Sequence, residues 1–263
     1  MKIGVLGAGT WGIALANLLC ISGHEVTVWS ALPDEIETLS KTHIHPKFSD
    51  TVLPDSMSFT SDTKKVCSEN TILVEAVPSV FIRSTTKTIS PYLKNGQIIV
   101  SVAKGIEEST LFSMTEVISD ELGDIIRKKS INIAALSGPT HAEEVIRLMP
   151  TTILSACPDI ETAQIIQDVF TNSCMRVYTN PDIKGVELCG ALKNIIALAS
   201  GILSGLGYGD NVKAALITRG IHEIARLGVA MGAKFETFCG LTGIGDLIVT
   251  CASVHSRNRK AGY

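Results

Sequence analysis

The feature that most constrains this chain is a set of three glycines between an apolar run and a helix-like segment. The run KIGVL, at Lys2–Leu6, predicts a short buried strand. Gly7, Gly9 and Gly12 follow it, and residues 10–22 have helical spacing. Glycines are needed where the backbone turns sharply or another group approaches it closely. The opening therefore predicts a specialised strand–turn–helix unit.

A strand, then GAGTWG, then a helix is typical of dinucleotide-binding proteins. Gly7 permits the tight turn, Gly9 lets a pyrophosphate approach the backbone, and Gly12 lets the helix pack on the strand. The helix N-terminus offers free N–H groups and the positive end of the helix dipole. A predicted second strand at Glu25–Trp29 completes a βαβ unit, so we expect NAD or NADP as the cofactor.

The residues after the second strand do not choose between NAD and NADP. An acid there would bind the adenosine ribose hydroxyls of NAD, whereas an arginine would suit the 2′-phosphate of NADP. The chain has WSAL at 29–32, and Asp34 and Glu35 fall in the first turn of the next predicted helix. Both cofactors therefore remain candidates.

Short apolar runs alternate with helix-like segments over the first two-thirds of the chain. Strands are predicted at Lys2–Leu6, Glu25–Trp29, Met57–Phe59, Thr71–Val77, Gln97–Val102, Ile131–Leu136, Thr152–Ala156 and Met175–Tyr178. Helices are predicted at 10–22, 33–41, 79–94, 108–122, 140–147 and 159–170. This alternation predicts βαβ units and a mostly parallel sheet.

The pattern changes after Tyr178, where Pro181 and Asp182 form a typical helix start. The apolar spacing beyond them is helical, with no strand signal. We therefore expect an α/β Rossmann-like domain over residues 1–180 and an all-α substrate or catalytic domain over residues 181–263.

Composition excludes several classes of protein. The net charge is −3 and aromatic residues make up 5% of the chain, so neither a basic stripe nor a base-stacking surface favours nucleic acid. The first predicted strand begins at residue 2 and glycines interrupt the apolar stretch, so we expect no signal peptide. No window of some twenty uninterrupted apolar residues predicts a membrane span. Residues 186–206 come closest, but Glu187, Lys193 and Asn194 interrupt them.

The seven cysteines are scattered, odd in number and never spaced as CxxC. This pattern fits a reducing cytoplasm and does not favour a zinc site. The six histidines are isolated or lack a third ligand, so we interpret them as structural or surface residues. We therefore expect a cytoplasmic protein without a metal.

Two loops carry polar groups where an open α/β sheet binds ligands. Lys104 follows the apolar strand QIIVSV, although a surface lysine would fit there equally well. SGPT at 137–140 follows another strand, and its amides could hold a substrate oxygen. Alternatively, Thr140 caps a helix with Glu143 as its capping-box partner.

Lys193 and Asn194 lie in a helix whose other positions are mostly Ala, Leu and Ile. Desolvation lowers the pKa of a lysine in such surroundings, which makes Lys193 a candidate general base. Glu187, six positions earlier, could tune that pKa. The alternative is a lysine on a solvent-facing stripe.

The segment GLTGIGDLIVTCASVHSRNR contains a further cluster of polar residues. Asp246 follows a glycine-rich turn at a predicted helix N-terminus, and Thr250 lies on the same helical face. Arg257 and Asn258 follow in a predicted loop, where a guanidinium suits phosphate oxygens. The alternative is that this basic run is simply a solvated face.

Together these motifs resemble those of the NAD(P)-dependent glycerol-3-phosphate dehydrogenases of the bacterial biosynthetic type. The likeness covers essentially the whole chain, in family order, and GALKN and SRNR are its most specific parts. It implies an N-terminal Rossmann-like domain, a C-terminal all-α domain, and interconversion of dihydroxyacetone phosphate and glycerol 3-phosphate for phospholipid synthesis.

The resemblance also implies roles for individual residues. The general base is Lys193, and the other residues around the reacting carbons are Lys104, Asn194, Asp246 and Thr250. Substrate contacts fall on Lys104, Gly138, Thr140, Lys193, Asp246, Ser256, Arg257 and Asn258. Cofactor contacts fall on Gly7, Gly9, Thr10, Trp11, Gly12, Lys104, Ala142 and Arg257.

The chain departs from the family pattern in two places. The basic residue that family members usually carry in the region 30–32 is absent. Family chains also continue beyond SRNR with further helices and a glutamate that contacts the cofactor, whereas this chain stops at Tyr263. We therefore expect an incomplete helical domain, with apolar faces uncovered on the helices at 183–204 and 211–231.

Two other functions fit the residues. One is another two-domain hydroxyacid dehydrogenase acting on a carboxylate, although SRNR and the GDL turn favour a phosphate. The other is a non-catalytic NAD(P)-binding protein. If the chain is a glycerol-3-phosphate dehydrogenase, we expect it to bind a small phosphorylated substrate and to form a homodimer, with no nucleic acid or membrane partner.

Overall fold

The computed structural model describes residues 1–263, and its framework is one eight-stranded sheet. The strands are β1 (Lys2–Leu6), β2 (Glu25–Trp29), β3 (Ser58–Thr60), β4 (Ile72–Glu75), β5 (Ile98–Ser101), β6 (Asn132–Ser137), β7 (Thr151–Ala156) and β8 (Met175–Asn180). Their order is β3-β2-β1-β4-β5-β6-β7-β8. All neighbours are parallel except β6 and β7. The eight predicted strands and the mostly parallel sheet are confirmed.

Eight helices connect or cover the strands. They are α1 (Thr10–Ile21), α2 (Pro33–Thr42), α3 (Thr63–Glu69), α4 (Ile82–Ile89), α5 (Met114–Leu122), α6 (Asp124–Lys128), α7 (Ala142–Val145) and α8 (Ile160–Phe170). The short helices α3 and α6 were not predicted, because each is too short to show a clear 3.6-residue period.

Two predicted helices are shorter than expected. The segment 79–94 divides into a 3₁₀ turn, α4 and a second 3₁₀ turn. The helix predicted at 108–122 begins only at Met114. Leu111 has a left-handed φ of 60°, and Ser113 forms a capping box with Glu116 that fixes the start of the helix.

Every element after β8 is helical. The helices are α9 (Ile183–Gly205), α10 (Asp210–Ala230), α11 (Phe235–Phe238), α12 (Asp246–Ala252) and α13 (Arg257–Gly262), with a π-helical turn at Leu241–Gly245. Asp182 caps α9 as predicted, accepting the N–H of Gly185 at 3.0 Å. It also accepts the Thr237 hydroxyl at 2.6 Å, which ties the start of α9 to α11.

The sheet is buried on both faces, as its continuous apolar strands predict. Ile72 and Val74 of β4 belong to a core cluster with α1 and α8, whereas Leu73 between them packs with α4 and α5. At the end of β1, Gly7 has a φ of +118°, and a side chain at Gly12 would overlap the Gly7 carbonyl oxygen. These two glycines place the N-terminus of α1 directly against the end of β1.

Apolar side chains are exposed on the helical part. They include Ile195, Leu198 and Ile202 on α9 and Leu227 and Val229 on α10. By length and apolar content alone, Ile183–Gly205 and Phe235–Ala252 could each span a membrane. Because 50% and 44% of their apolar windows are buried inside the protein, that likeness is weak evidence.

Glu75, the last residue of β4, is a buried carboxyl group without a cationic partner. Its exposed fraction is 0%, and its only hydrogen-bond donor is the Thr86 hydroxyl, at 3.1 and 3.3 Å from the two oxygens. Burial raises the pKa of Glu75 to about 8, and the bond from Thr86 offsets this only in part. The folded protein therefore keeps a proton that the unfolded chain loses.

We expect this proton to make the free energy of unfolding fall as pH rises between roughly 4.5 and 8, since the unfolded state binds fewer protons over that range. Glu75→Gln should make this slope clearly shallower and stabilise the fold at pH 7 by roughly 1–3 kcal/mol. Urea unfolding at several pH values measures the free energy of unfolding and its pH dependence, and Glu69→Gln at an exposed position is the control. An unchanged slope in Glu75→Gln would contradict this assignment.

Candidate active site

Five of the predicted site residues meet in one place, which we call the lysine–aspartate cluster: Lys104, Gly138, Lys193, Asp246 and Thr250. Lys104 Nζ donates to Asp246 Oδ2 at 2.7 Å and to the Gly138 carbonyl at 3.1 Å. Lys193 Nζ donates to Asp246 Oδ1 and, at 2.7 Å, to Thr250 Oγ1. One carboxylate therefore binds two ammonium groups from opposite sides.

The fold brings these residues together from four separate segments of the chain. Lys104 and Gly138 lie just beyond the ends of β5 and β6, at the edge where parallel strands bind ligands. Lys193 lies near the middle of α9, and Asp246 and Thr250 are one turn apart on α12. Thr250 Oγ1 also donates to the Asp246 carbonyl at 2.6 Å, which fixes its orientation.

Gly190 explains how Lys104 reaches across α9. A Cβ at this position would lie 3.3 Å from Lys104 Cγ and 3.3 Å from Ser137 Oγ, closer than most side chains tolerate. The glycine therefore leaves a passage for the lysine one turn of helix before Lys193.

Burial and charge act together on Lys193. Asp246 is fully buried and Lys193 is 6% exposed, whereas the Lys104 side chain is 23% exposed. Burial, followed by the positive charge of Lys104, lowers the pKa of Lys193 to about 7, and Asp246 opposes both effects. The lowered pKa predicted from the apolar helix is confirmed, so Lys193 can gain or lose a proton near neutral pH.

Glu187 does not tune Lys193, so that expectation is wrong. Its carboxylate accepts the Ser113 hydroxyl at 2.7 Å and the Thr115 N–H at 2.9 Å, which joins α9 to the start of α5. Six residues along a helix correspond to about one and two-thirds turns, so Glu187 and Lys193 point in different directions.

The loop after β6 also differs from the prediction. Thr140 Oγ1 donates back to the Gly138 carbonyl at 3.2 Å, and α7 begins at Ala142 with His141 at its N-cap. The predicted capping box of Thr140 and Glu143 is therefore wrong, because the threonine closes the preceding turn instead. Ala142 packs against the core that contains α1.

Ser256, Arg257 and Asn258 lie at the start of α13, so the predicted loop is wrong. Ser256 Oγ accepts the Arg259 N–H at 3.2 Å and caps this helix. Arg257 is exposed and makes no ion pair, which leaves its guanidinium available for an anion. Asn194 and Asn258 are half-buried and make no side-chain hydrogen bond.

His141 is a candidate that sequence reasoning missed. Its Nε2 is buried without a hydrogen-bond partner, and its ring lies 5.8 Å from that of His255. Burial lowers the pKa of His141, and the nearby Glu143 and Glu144 offset that shift only in part. The pair places the segment before Arg257 beside the loop after β6. The position of His141 between Thr140 and Ala142 was the only signal in the sequence that could have identified it.

The glycine loop fits a dinucleotide pyrophosphate. Gly9 is the N-cap of α1 and provides no capping side chain, and the first N–H to bond a carbonyl is that of Ile13. The amides of Thr10, Trp11 and Gly12 are therefore left for a ligand. A Cβ at Gly9 would meet nothing within 4 Å, so the space above the loop is open.

Comparison with known proteins agrees with this geometry. The family models for the N- and C-terminal parts of NAD-dependent glycerol-3-phosphate dehydrogenase match residues 2–163 and 182–263. Glycerol-3-phosphate dehydrogenase (NAD(P)+) 2 of Lactobacillus delbrueckii subsp. bulgaricus is 59% identical over 100% of this chain and 78% of its own length. The Bacillus subtilis relative is 49% identical over 99% of this chain and 75% of its own.

A solved structure gives the same result for the fold. The crystal structure of glycerol-3-phosphate dehydrogenase from Coxiella burnetii matches with a TM-score of 0.92 and 35% identity. The match covers 98% of this chain and 78% of that one. Sequence and structure therefore point to the same relatives.

Proposed function

The chain belongs to the NAD-dependent glycerol-3-phosphate dehydrogenase family, and from this premise we propose how its residues act. It is an NAD(P)-dependent oxidoreductase that interconverts dihydroxyacetone phosphate and glycerol 3-phosphate. The observation that carries the residue assignment is Lys193, buried between Asp246 and Thr250 with a pKa of about 7.

Lys193 is the general acid and base of this proposal. In the oxidation its neutral amine takes the proton of the C2 hydroxyl of glycerol 3-phosphate. In the reduction its ammonium returns that proton to the developing alkoxide. When bound, NAD(P) supplies the hydride-transfer chemistry. Acid–base help of this kind contributes roughly 10²–10⁴ in rate.

The other members of the cluster hold the lysines in place and stabilise charge on the substrate. Asp246 accepts a hydrogen bond from both Lys193 and Lys104, and Thr250 Oγ1 accepts a further N–H of Lys193, which orients the amine. The ammonium of Lys104, which is partly exposed, stabilises negative charge on the C2 oxygen. Asn194, beside Lys193, supplies a further donor toward the substrate.

We assign the substrate phosphate to the start of α13 and the loop after β6. Arg257, with Ser256 and Asn258, binds the phosphate oxygens, because a guanidinium without a carboxylate partner suits them. Gly138 and Thr140 form the opposite wall. The contact between His141 and His255, on the two segments, supports this assignment.

The cofactor lies across the sheet edge in this proposal. Gly7, Gly9, Thr10, Trp11 and Gly12 hold the pyrophosphate. The nicotinamide side is assigned to Lys104, Ala142 and Arg257. Residues 1–180 then form the dinucleotide-binding unit and residues 181–263 the helical substrate unit, a division supported by the end of the sheet at Asn180.

We further propose a cytoplasmic homodimer that supplies glycerol 3-phosphate for phospholipid synthesis and binds neither nucleic acid nor membrane. The free cysteines support a reducing compartment. A substrate panel tests the function. NADH or NADPH oxidation should be fast with dihydroxyacetone phosphate and slow with a 3-keto acid. A preference for the acid would overturn the proposal.

Arg257→Ala should raise KM for dihydroxyacetone phosphate by about 10-fold or more, because a charge-assisted hydrogen bond contributes roughly 1.5–3 kcal/mol. Steady-state kinetics with dihydroxyacetone phosphate and unphosphorylated dihydroxyacetone measure it. Lys260→Ala, an exposed cation on the same helix, is the control. If Arg257→Ala still discriminated against dihydroxyacetone as well as the wild type does, Arg257 would not bind the phosphate.

A further inference from the structure

An acidic side chain lies at the end of β2, although the sequence places it in the following helix. The carbonyl oxygen of Trp29, the last residue of β2, accepts the Gly7 N–H at 2.8 Å, so Ser30 lies beside the glycine loop. Ser30 is buried, and its Oγ donates to Glu35 Oε2 at 2.6 Å. The carboxylate of Glu35 therefore reaches back from α2 to the end of β2.

The hydroxyl of Ser30 holds this carboxylate without neutralising it. Ser30 Oγ also accepts the Leu32 N–H at 3.2 Å, which fixes the hydroxyl within its turn. A serine has one hydroxyl proton, and here it points to Glu35 Oε2, so Oε1 keeps its lone pairs. Glu35 is half-buried and makes no ion pair. The site thus offers an acceptor with a full negative charge.

His45 responds both to this carboxylate and to the glycine loop. Its imidazole is buried, and burial lowers its pKa. Glu35 and the backbone of Ala8 both oppose that shift, whereas Lys47 adds to it, so all three are its neighbours. Since Ala8 belongs to GAGTWG, the charge of Glu35 and the glycine loop act on the same imidazole.

The charges at this edge suit a ribose better than a phosphate. Residues 30–35, SALPDE, contain two acids and no base. Lys41, later on α2, is paired with Glu37. The hydroxyls of an adenosine ribose can donate to a free carboxylate, whereas a 2′-phosphate would bring like charge against it. The basic groups near this edge are His45, whose pKa burial lowers, and the exposed Lys47.

We propose that Glu35, held in place by Ser30, binds the adenosine ribose hydroxyls and makes this chain select NAD(H) over NADP(H). The inference rests on the proposed function in one respect, that a dinucleotide binds at the glycine loop. Glu35 would contact the cofactor, and Ser30 would act through Glu35 as a positioning residue.

Equilibrium binding tests this without relying on turnover. Titration calorimetry with NADH and with NADPH should show wild-type protein binding NADH at least about 10-fold more tightly. Glu35→Gln should reduce that ratio about 10-fold, mainly by tighter binding of NADPH. Ser30→Ala should reduce it less. Glu37→Gln, a surface acid on the same helix, is the matched control and should leave it unchanged.

Salt dependence separates a charge effect from a structural one. Because screening weakens repulsion, the wild-type preference should shrink as salt rises, and that dependence should vanish in Glu35→Gln. Equal wild-type affinity for the two cofactors, or an equal change in both on mutation, would overturn the inference while leaving the proposed function intact. Failure to bind either cofactor would overturn both.

Discussion

Lys193→Met should lower turnover with dihydroxyacetone phosphate by at least about 10²-fold while the chain still folds and binds NAD(P). The substitution removes the group proposed to move the proton but keeps an unbranched side chain of similar length in the apolar helix. Burial already disfavours the ammonium of Lys193, and Asp246 keeps Lys104 as its partner. The fold therefore has little reason to fail.

The pH profile makes this test specific. For glycerol 3-phosphate oxidation, kcat/KM should rise with pH and level off above about 7, because the base must be neutral. This rise of kcat/KM with pH, the acidic limb of the profile, should be absent from the residual activity of Lys193→Met. Lys213→Met, on α10 away from the lysine–aspartate cluster, is the control and should keep both the turnover rate and the acidic limb of the pH profile. Near-normal turnover in Lys193→Met would exclude the lysine as the base.

Asp246→Asn should lower turnover by about 10²-fold, since the base loses the group that orients it. It should also lower the free energy of unfolding at pH 7 by about 3 kcal/mol, because the Lys104 ammonium loses its anion and the buried Lys193 must release its proton or stay charged without a partner. Without that anion, the pKa of Lys193 should fall further and the oxidative limb should move to lower pH.

A second variant separates charge from shape in this prediction. Asp246→Asn combined with Lys104→Met also removes the Lys104 ammonium that Asp246→Asn leaves unpaired, so it should recover part of the lost stability in urea unfolding. Asp210→Asn replaces an exposed aspartate at the first position of α10 and should change neither quantity. Full stability in Asp246→Asn would show that the carboxylate is not the link between the two lysines.

Local patterns predicted the elements of this fold well. The apolar runs Ile72–Val74 and Ile98–Val100 predicted two central strands of the sheet, because strands covered on both faces are mostly apolar. Helix boundaries were predicted less well where a side chain chose a different partner. Thr140 closes a turn on Gly138 instead of capping α7, and Ser256 starts a helix where a loop was expected.

The sequence by itself determined the dinucleotide loop, the mostly parallel sheet and a desolvated lysine in an apolar helix, because each depends on neighbours within a few positions. Only the tertiary structure decided which groups pair. Lys104 and Asp246 are 142 positions apart, and Glu187 binds Ser113, 74 positions away. Glu35 reached the end of β2 only through the Ser30 hydroxyl. Periodicity fixes the face on which a side chain lies, whereas its partner is fixed by how the elements pack.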